Sequence, residues 1–252
     1  MPHLQEMPSL FAGACAAPVS APPVTLARQP NYIAGNRKRL RERFLTGGAA
    51  AMPDYELLEM ILFQVMRQGD VKPVARKLLD THGDLAAVLS APVTILEQTP
   101  GVGAAIALQL KVVEAVTHRM ARAKVMQKHV ISSWDAVIDY CHTVMAHRDT
   151  EQFRILFLDT KNVLIADEEQ ARGTIDHVPV YPREVVKRAL ELNAAALLLV
   201  HNHPSGDPTP SQADIHMTAK IAEAAEALGI SVHDHLIVGR SRELSFRAEG
   251  LL

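Results

Sequence analysis

From Ala194 to Val200 the chain reads AAALLLV, seven apolar residues in succession with helical text on either side. A run this short, apolar on both faces of an extended chain, reads as a buried strand. The flanking segments, PREVVKRALELN before it and SQADIHMTAKIAEAAEALG after it, carry apolar residues at three- and four-residue spacing and read as helices. FRILFLD, VLIADEEQ, VPVYP and VHDHLIVG read as further strands, and HVISSWDAVIDYCHTVMAHR as an opening strand followed by a helix. Strands and helices in this order require an α/β or α+β domain, here residues 129–252.

Upstream the text is different. DYELLEMILFQVM, VKPVARKLLDTH, LAAVL, VTILEQ and AAIALQLKVVEAVTHRMARAK are amphipathic at helical spacing, broken at Pro53, Gly69, Gly83 and Pro92, so residues 31–128 form an all-helical unit. RKRLRERF at 37–44 places five basic residues at an expected helix start, a solvated face or a phosphate-contacting one. Within TILEQTPGVGAAIALQL, the residues Leu96, Pro100, Gly101, Val102, Gly103 and Ala107 follow the pattern of a helix-hairpin-helix, in which glycine allows a sharp turn. Amides freed at such a turn can meet DNA phosphate without reading sequence, so Pro100–Gly103 is a candidate DNA contact. A hairpin that only packs against neighbouring helices satisfies the same pattern.

Residues 31–128 hold 14 Lys or Arg against 9 Asp or Glu, and residues 129–252 hold 11 against 18. That basic excess suits polyanion contact but is small for binding by charge alone. With 48% hydrophobic and 21% charged residues the chain is globular, and no apolar stretch is long enough to span a membrane. Cys15 and Cys141 make no disulfide framework, which suits a reducing cytoplasm. The Ala- and Pro-rich residues 1–30 lack early basic residues and are expected to be a disordered tail, not a secretory signal.

The apolar run ends in HNHPSGDPTPSQAD, residues 201–214. On a strand His201 and His203 point the same way, and Asn202 the other. PSGDPTP forces the chain to reverse, and SQAD opens a helix with Ser211 as N-cap and Asp214 at its third position. The helix start thereby returns Asp214 towards the two imidazoles. Two neutral imidazoles and one carboxylate suit zinc, and three protein ligands leave a fourth position for water, the arrangement of catalytic sites. A capping role for Asp214 alone is the simpler alternative.

A second HxH, His233 and His235, has Phe246 at the position matching Asp214, which cannot ligate. These histidines are expected to be exposed or to stand behind the ligands. Cys141, His142 and His147 lie on an amphipathic helix without a fourth partner and are set aside.

His201, His203, Ser211 and Asp214 fit HxHx7Sx2D, and the chain here resembles the JAMM motif of JAB1/MPN metalloprotease-like domains. More narrowly, GTIDHVPVYPREVVKRALELNAAALLLVHNHPSGDPTPSQAD and DHLIVG are similar to the RadC family (UPF0758), a resemblance running from about residue 37 to the end. FQVMRQGDVKPVARKLL departs from the Gly-rich text usual there. The resemblance implies an α+β domain with a cytidine-deaminase-like (MPN) mixed sheet flanked by helices, preceded by a small all-α helix-hairpin-helix domain. It also implies Zn2+ on His201, His203 and Asp214, with a Glu outside the motif as general acid/base. Glu151, at the head of EQFRILFLD, is the expected one and Glu184 the alternative; Ser211 would stabilise the oxyanion. Hydrolysis of a peptide or isopeptide bond is then the expected activity. A DNA-associated accessory role in repair or recombination is the alternative.

Overall fold

The computed structural model describes residues 31–172 and 180–252. The N-terminal tail expected over residues 1–30 lies outside them, as do Val178 and Pro179 of the expected strand VPVYP; its described remainder is not a strand.

Six helices come first: α1 (Asn31–Gly47), α2 (Asp54–Leu62), α3 (Lys72–His82), α4 (Leu85–Ser90), α5 (Val93–Leu96) and α6 (Ala104–Val125). Their apolar stripes meet in one core that includes Leu40, Leu58, Leu62, Leu78, Val88, Leu96 and Leu110. The basic run lies inside α1, not at its start, because Asn31–Asn36 already continue the helix. Nor is it only a solvated face. Arg37 donates to the carbonyls of Met66, Arg67 and Gly69 and lies over the Phe63 ring, and Arg43 pairs with Glu56. α5 is a single turn, so the first helix of the expected hairpin is very short; Gly101 takes the turn at φ 90°.

The second unit opens with a one-turn 3-10 helix at Ile131–Ser133 and α7 (Trp134–Met145). The strand expected over HVISS is reduced to one bridge, His129 to Val163, since Ile131–Ser133 coil into the cap of α7. There follow β1 (Gln152–Leu158), β2 (Leu164–Arg172), α8 (Pro182–Glu191), β3 (Ala196–Asn202), α9 (Gln212–Glu226), β4 (Ser231–Val238) and β5 (Glu243–Ser245). The sheet order is β2-β1-β3-β4-β5; β3 runs antiparallel to β1 and parallel to β4. This is an α+β arrangement, as expected. The parallel step from β3 to β4 needs a crossover, and α9 supplies it.

β3 is central and buried at every residue. Leu198 and Val200 face a core closed by α7, while Leu197 and Leu199 face one closed by α8 and α9. Burying each leucine contributes about 1.5–3 kcal/mol, which anchors the strand whose end carries the histidines. α6 joins the two units: Leu110 belongs to the helical core, and Val125 near its end to the core of the sheet.

Candidate metal centre

His201, His203 and Asp214 converge where β3 ends and α9 begins. Nε2 of His201 lies 3.0 Å from Nε2 of His203 and 3.4 Å from Oδ1 of Asp214, and His203 Nε2 lies 3.7 Å from Asp214 Oδ2. Three potential acceptors face one space, and a proton or a cation must lie among them. Zinc–ligand bonds of about 2.0–2.1 Å at tetrahedral angles separate neighbouring ligand atoms by about 3.3 Å, in the middle of the observed range. These residues can hold a metal ion, and they are the one such His/Cys/Asp/Glu cluster among the described residues.

Local structure explains the convergence. Ser211 caps α9: its Oγ accepts from the Asp214 amide at 3.2 Å, and Asp214 Oδ2 accepts from the Ser211 amide at 2.8 Å. The Ser211 hydroxyl donates to the same Oδ2 at 2.6 Å, leaving Oδ1 turned to His201. Capping and facing the histidines are therefore simultaneous in Asp214, not alternatives. The intervening loop seats on the end of β4, where His203 N–H donates to Val238. Gly239 is required there, because a Cβ would collide with the carbonyl oxygen of Gly206.

Burial and charge act in opposite directions on these groups. Complete burial pushes His201 down to about 4, against the pull of Asp214. The neighbouring Asp214 carboxylate raises His203 despite its partial burial, helped by the Asp207 carbonyl and by the charge of Glu151. Burial alone would raise Asp214, but His203, His201 and Ser211 outweigh it and hold the carboxyl well below its ordinary value.

Glu151 immediately precedes β1. The antiparallel register pairs Phe153 with His201 at the end of the ladder, so Glu151 and His203 leave the sheet from this same end, and the charge of Glu151 acts on His203. Asn202 anchors this position from both sides: its Oδ1 accepts from Gln152 N–H at 2.9 Å and its Nδ2 donates to the Thr150 carbonyl at 3.2 Å. Glu184 is exposed in the first turn of α8 and pairs with Arg183. Glu151 thus adjoins the strand end that carries the histidines, whereas Glu184 lies on α8.

The second HxH is drawn inwards on one side only. β4 has a register shift at His233, so that Leu199 pairs with His235 and not with Asp234. The extra residue turns His235 onto the His201 face. His235 is fully buried; its Nε2 is 2.7 Å from His201 Nδ1, and its Nδ1 is 2.6 Å from Thr218 Oγ1. Phe246, noted for being unable to ligate, packs its ring on His235 at 4.6 Å, while Phe153 stacks on His201. His233 meets Asn162 instead. Thr218 escaped the sequence reading altogether, and its spacing of four from Asp214 along α9 was the available signal. Cys141 is buried and His142 pairs with Glu243, apart from the cluster.

Comparison with known proteins adds a family. Residues 131–251 match the RadC-like JAB domain and residues 34–108 the UPF0758 N-terminal domain. A UPF0758 protein of Ruegeria pomeroyi is 71% identical over 223 residues, covering 88% of this chain and all of the relative. Another, of Rhodobacter capsulatus, is 70% identical over 213 residues, covering 84% of this chain and all of that protein.

Proposed function

This chain belongs to the RadC-like JAB-domain family of UPF0758 proteins, and from that premise we propose that it is a zinc-dependent metallohydrolase of the MPN type, cleaving a peptide or isopeptide bond. The observation that carries the reading is the set of three donors, His201 Nε2, His203 Nε2 and Asp214 Oδ1, converging on one space with no fourth ligand among the described residues. Structural zinc is normally closed by four protein ligands, whereas three leave room for water. Zinc held there would supply Lewis acidity and a water whose pKa is lowered to about 7.

The chain's own residues then do the remaining work. Glu151 accepts a proton from the attacking water as it adds to the carbonyl carbon. When the C–N bond breaks, Glu151 returns that proton to the leaving nitrogen, giving an acid and an amine. Asn202 holds Glu151 beside the end of β3 through the peptide groups on either side. Ser211 donates to the developing oxyanion only by turning its single proton away from Asp214 Oδ2, while its Oγ goes on accepting from the Asp214 amide.

Metal analysis of the purified chain tests the site: about one zinc per chain is expected, lost in His203→Ala and Asp214→Ala. A zinc-free parent chain, or zinc retained in both variants, overturns it. Cleavage of a peptide library by the zinc-loaded chain is expected to disappear in Glu151→Gln with zinc retained.

A DNA-associated role is the second reading. It draws on the exposure of Pro100, Gly101 and Gly103 at the turn before α6, whose first turn has no side-chain cap. The two roles are compatible in one chain.

A further inference from the structure

Behind His201 lies a hydrogen-bonded chain whose polarity follows from one hydroxyl. Thr218 Oγ1 is 2.6 Å from the Asp214 carbonyl oxygen, which can only accept, so the single Thr218 proton goes there. The same Oγ1 is 2.6 Å from His235 Nδ1. With its proton committed, Thr218 accepts from that nitrogen, and His235 carries hydrogen on Nδ1. His235 is fully buried between Phe153 and Phe246, which favours the neutral ring, so its Nε2 holds a lone pair. That lone pair faces His201 Nδ1 at 2.7 Å and accepts from it. His201 is left with Nε2 unprotonated and facing His203 and Asp214.

We infer that His235 and Thr218 are positioning residues: together they hold His201 as its Nδ1–H tautomer and so present its Nε2 lone pair to a metal. A metal-bound histidine ordinarily gives its other N–H to a carboxylate, a backbone carbonyl or water. His203 follows that rule, with Nδ1 2.8 Å from the Asp207 carbonyl. His201 uses another imidazole, which has two tautomers of its own and cannot by itself dictate which nitrogen of His201 is protonated. Thr218 removes that freedom. Its hydroxyl proton is fixed in turn by the backbone of Asp214, so the relay starts on one candidate ligand and ends on another. A shift of the first turn of α9 therefore reaches His201 through the relay as well as through the carboxylate.

The consequence for metal affinity rests on the metal reading above, but the tautomer belongs to the metal-free chain and is measured there. Long-range proton–nitrogen correlation spectra of the metal-free full chain, with nitrogen-labelled histidine, are expected to show His201 and His235 as Nδ1–H tautomers. His235→Gln and Thr218→Val identify the two rings. In Thr218→Val, which keeps the side-chain shape, His235 and His201 are expected to become tautomer mixtures. Zinc affinity, measured by competition with a chromophoric chelator, is expected to fall about 10–100-fold in Thr218→Val and His235→Phe. Thr218→Ser, and His235→Gln with its amide oxygen as acceptor, are expected to recover most of that loss. His201 found as the Nε2–H tautomer in the parent chain overturns the inference. So does a Thr218→Val chain that binds zinc within twofold of the parent. A parent chain with the stated tautomers that binds no zinc supports the relay and refutes the metal reading.

Discussion

Asn202 lies between the two histidines of the motif and touches neither the candidate metal position nor a substrate, yet Asn202→Ala is expected to be among the costliest changes near the site. Its side chain is buried and bonds the Gln152 amide and the Thr150 carbonyl. Gln152 is buried too, so its amide loses a partner that water cannot readily replace, at about 1–3 kcal/mol. Thr150 is exposed, and its carbonyl can be rehydrated; only the net hydrogen-bond contribution of about 0.5–1.5 kcal/mol is lost there. The expected destabilisation is therefore about 1.5–4.5 kcal/mol. Urea unfolding followed by fluorescence of Trp134, the single tryptophan, reports on this domain, because Trp134 packs against the core beneath β3. Hydrogen exchange at the Gln152 amide provides the local readout and should accelerate in the variant. A loss below about 0.5 kcal/mol with unchanged Gln152 protection would refute the reasoning that Asn202 secures the approach to Glu151.

Three further outcomes follow from the same geometry. In the metal-free chain, stability should fall by about 1.5 kcal/mol between pH 6.5 and 5 from His201 alone: the unfolded ring takes up a proton below 6.5 that the folded ring, at about 4, refuses. Buried His235 adds to this loss, whereas raised His203 costs stability only as the pH rises above 6.5, so urea midpoints flat from pH 6.5 to 5 would contradict the assignment. Gly239→Ala should cost about 1–3 kcal/mol in the same unfolding assay, because its Cβ meets the Gly206 carbonyl and Pro208; a neutral change would show that the loop does not need this close approach. Gly103 has open space at its Cβ and an ordinary extended conformation, so Gly103→Glu should leave the fold intact and weaken any salt-dependent binding to branched DNA about tenfold. Binding left unchanged would exclude this turn as the contact.

Much of this protein was legible because its key relationships are local. The period of a strand puts His201 and His203 on one side, and the Pro/Gly loop reverses the chain. The cap at Ser211 sets Asp214 in the first turn of α9, eleven residues beyond His203. Helical spacing located five of the six helices of the first unit, since each amphipathic stripe is written within its own segment, while α1 was marked only by its basic run. Short elements without a stripe were less readable: β5 was missed, and the strand expected before α7 is a 3-10 turn.

The residues around the ligands depend on distances along the chain that no window of sequence contains. Glu151 gains its position from the antiparallel register of β1 on β3 and from Asn202, 50 residues away from the Gln152 amide it holds. His235 reaches His201 because one extra residue in β4 shifts the parallel register by a single place, and in a pleated sheet a single place exchanges the two faces. Sequence by itself determined which side chains can bind a metal, through strand period, loop reversal and helix cap. Only the packed sheet decided what stands behind and beside them, because register and bulge are set by the pairing of distant strands.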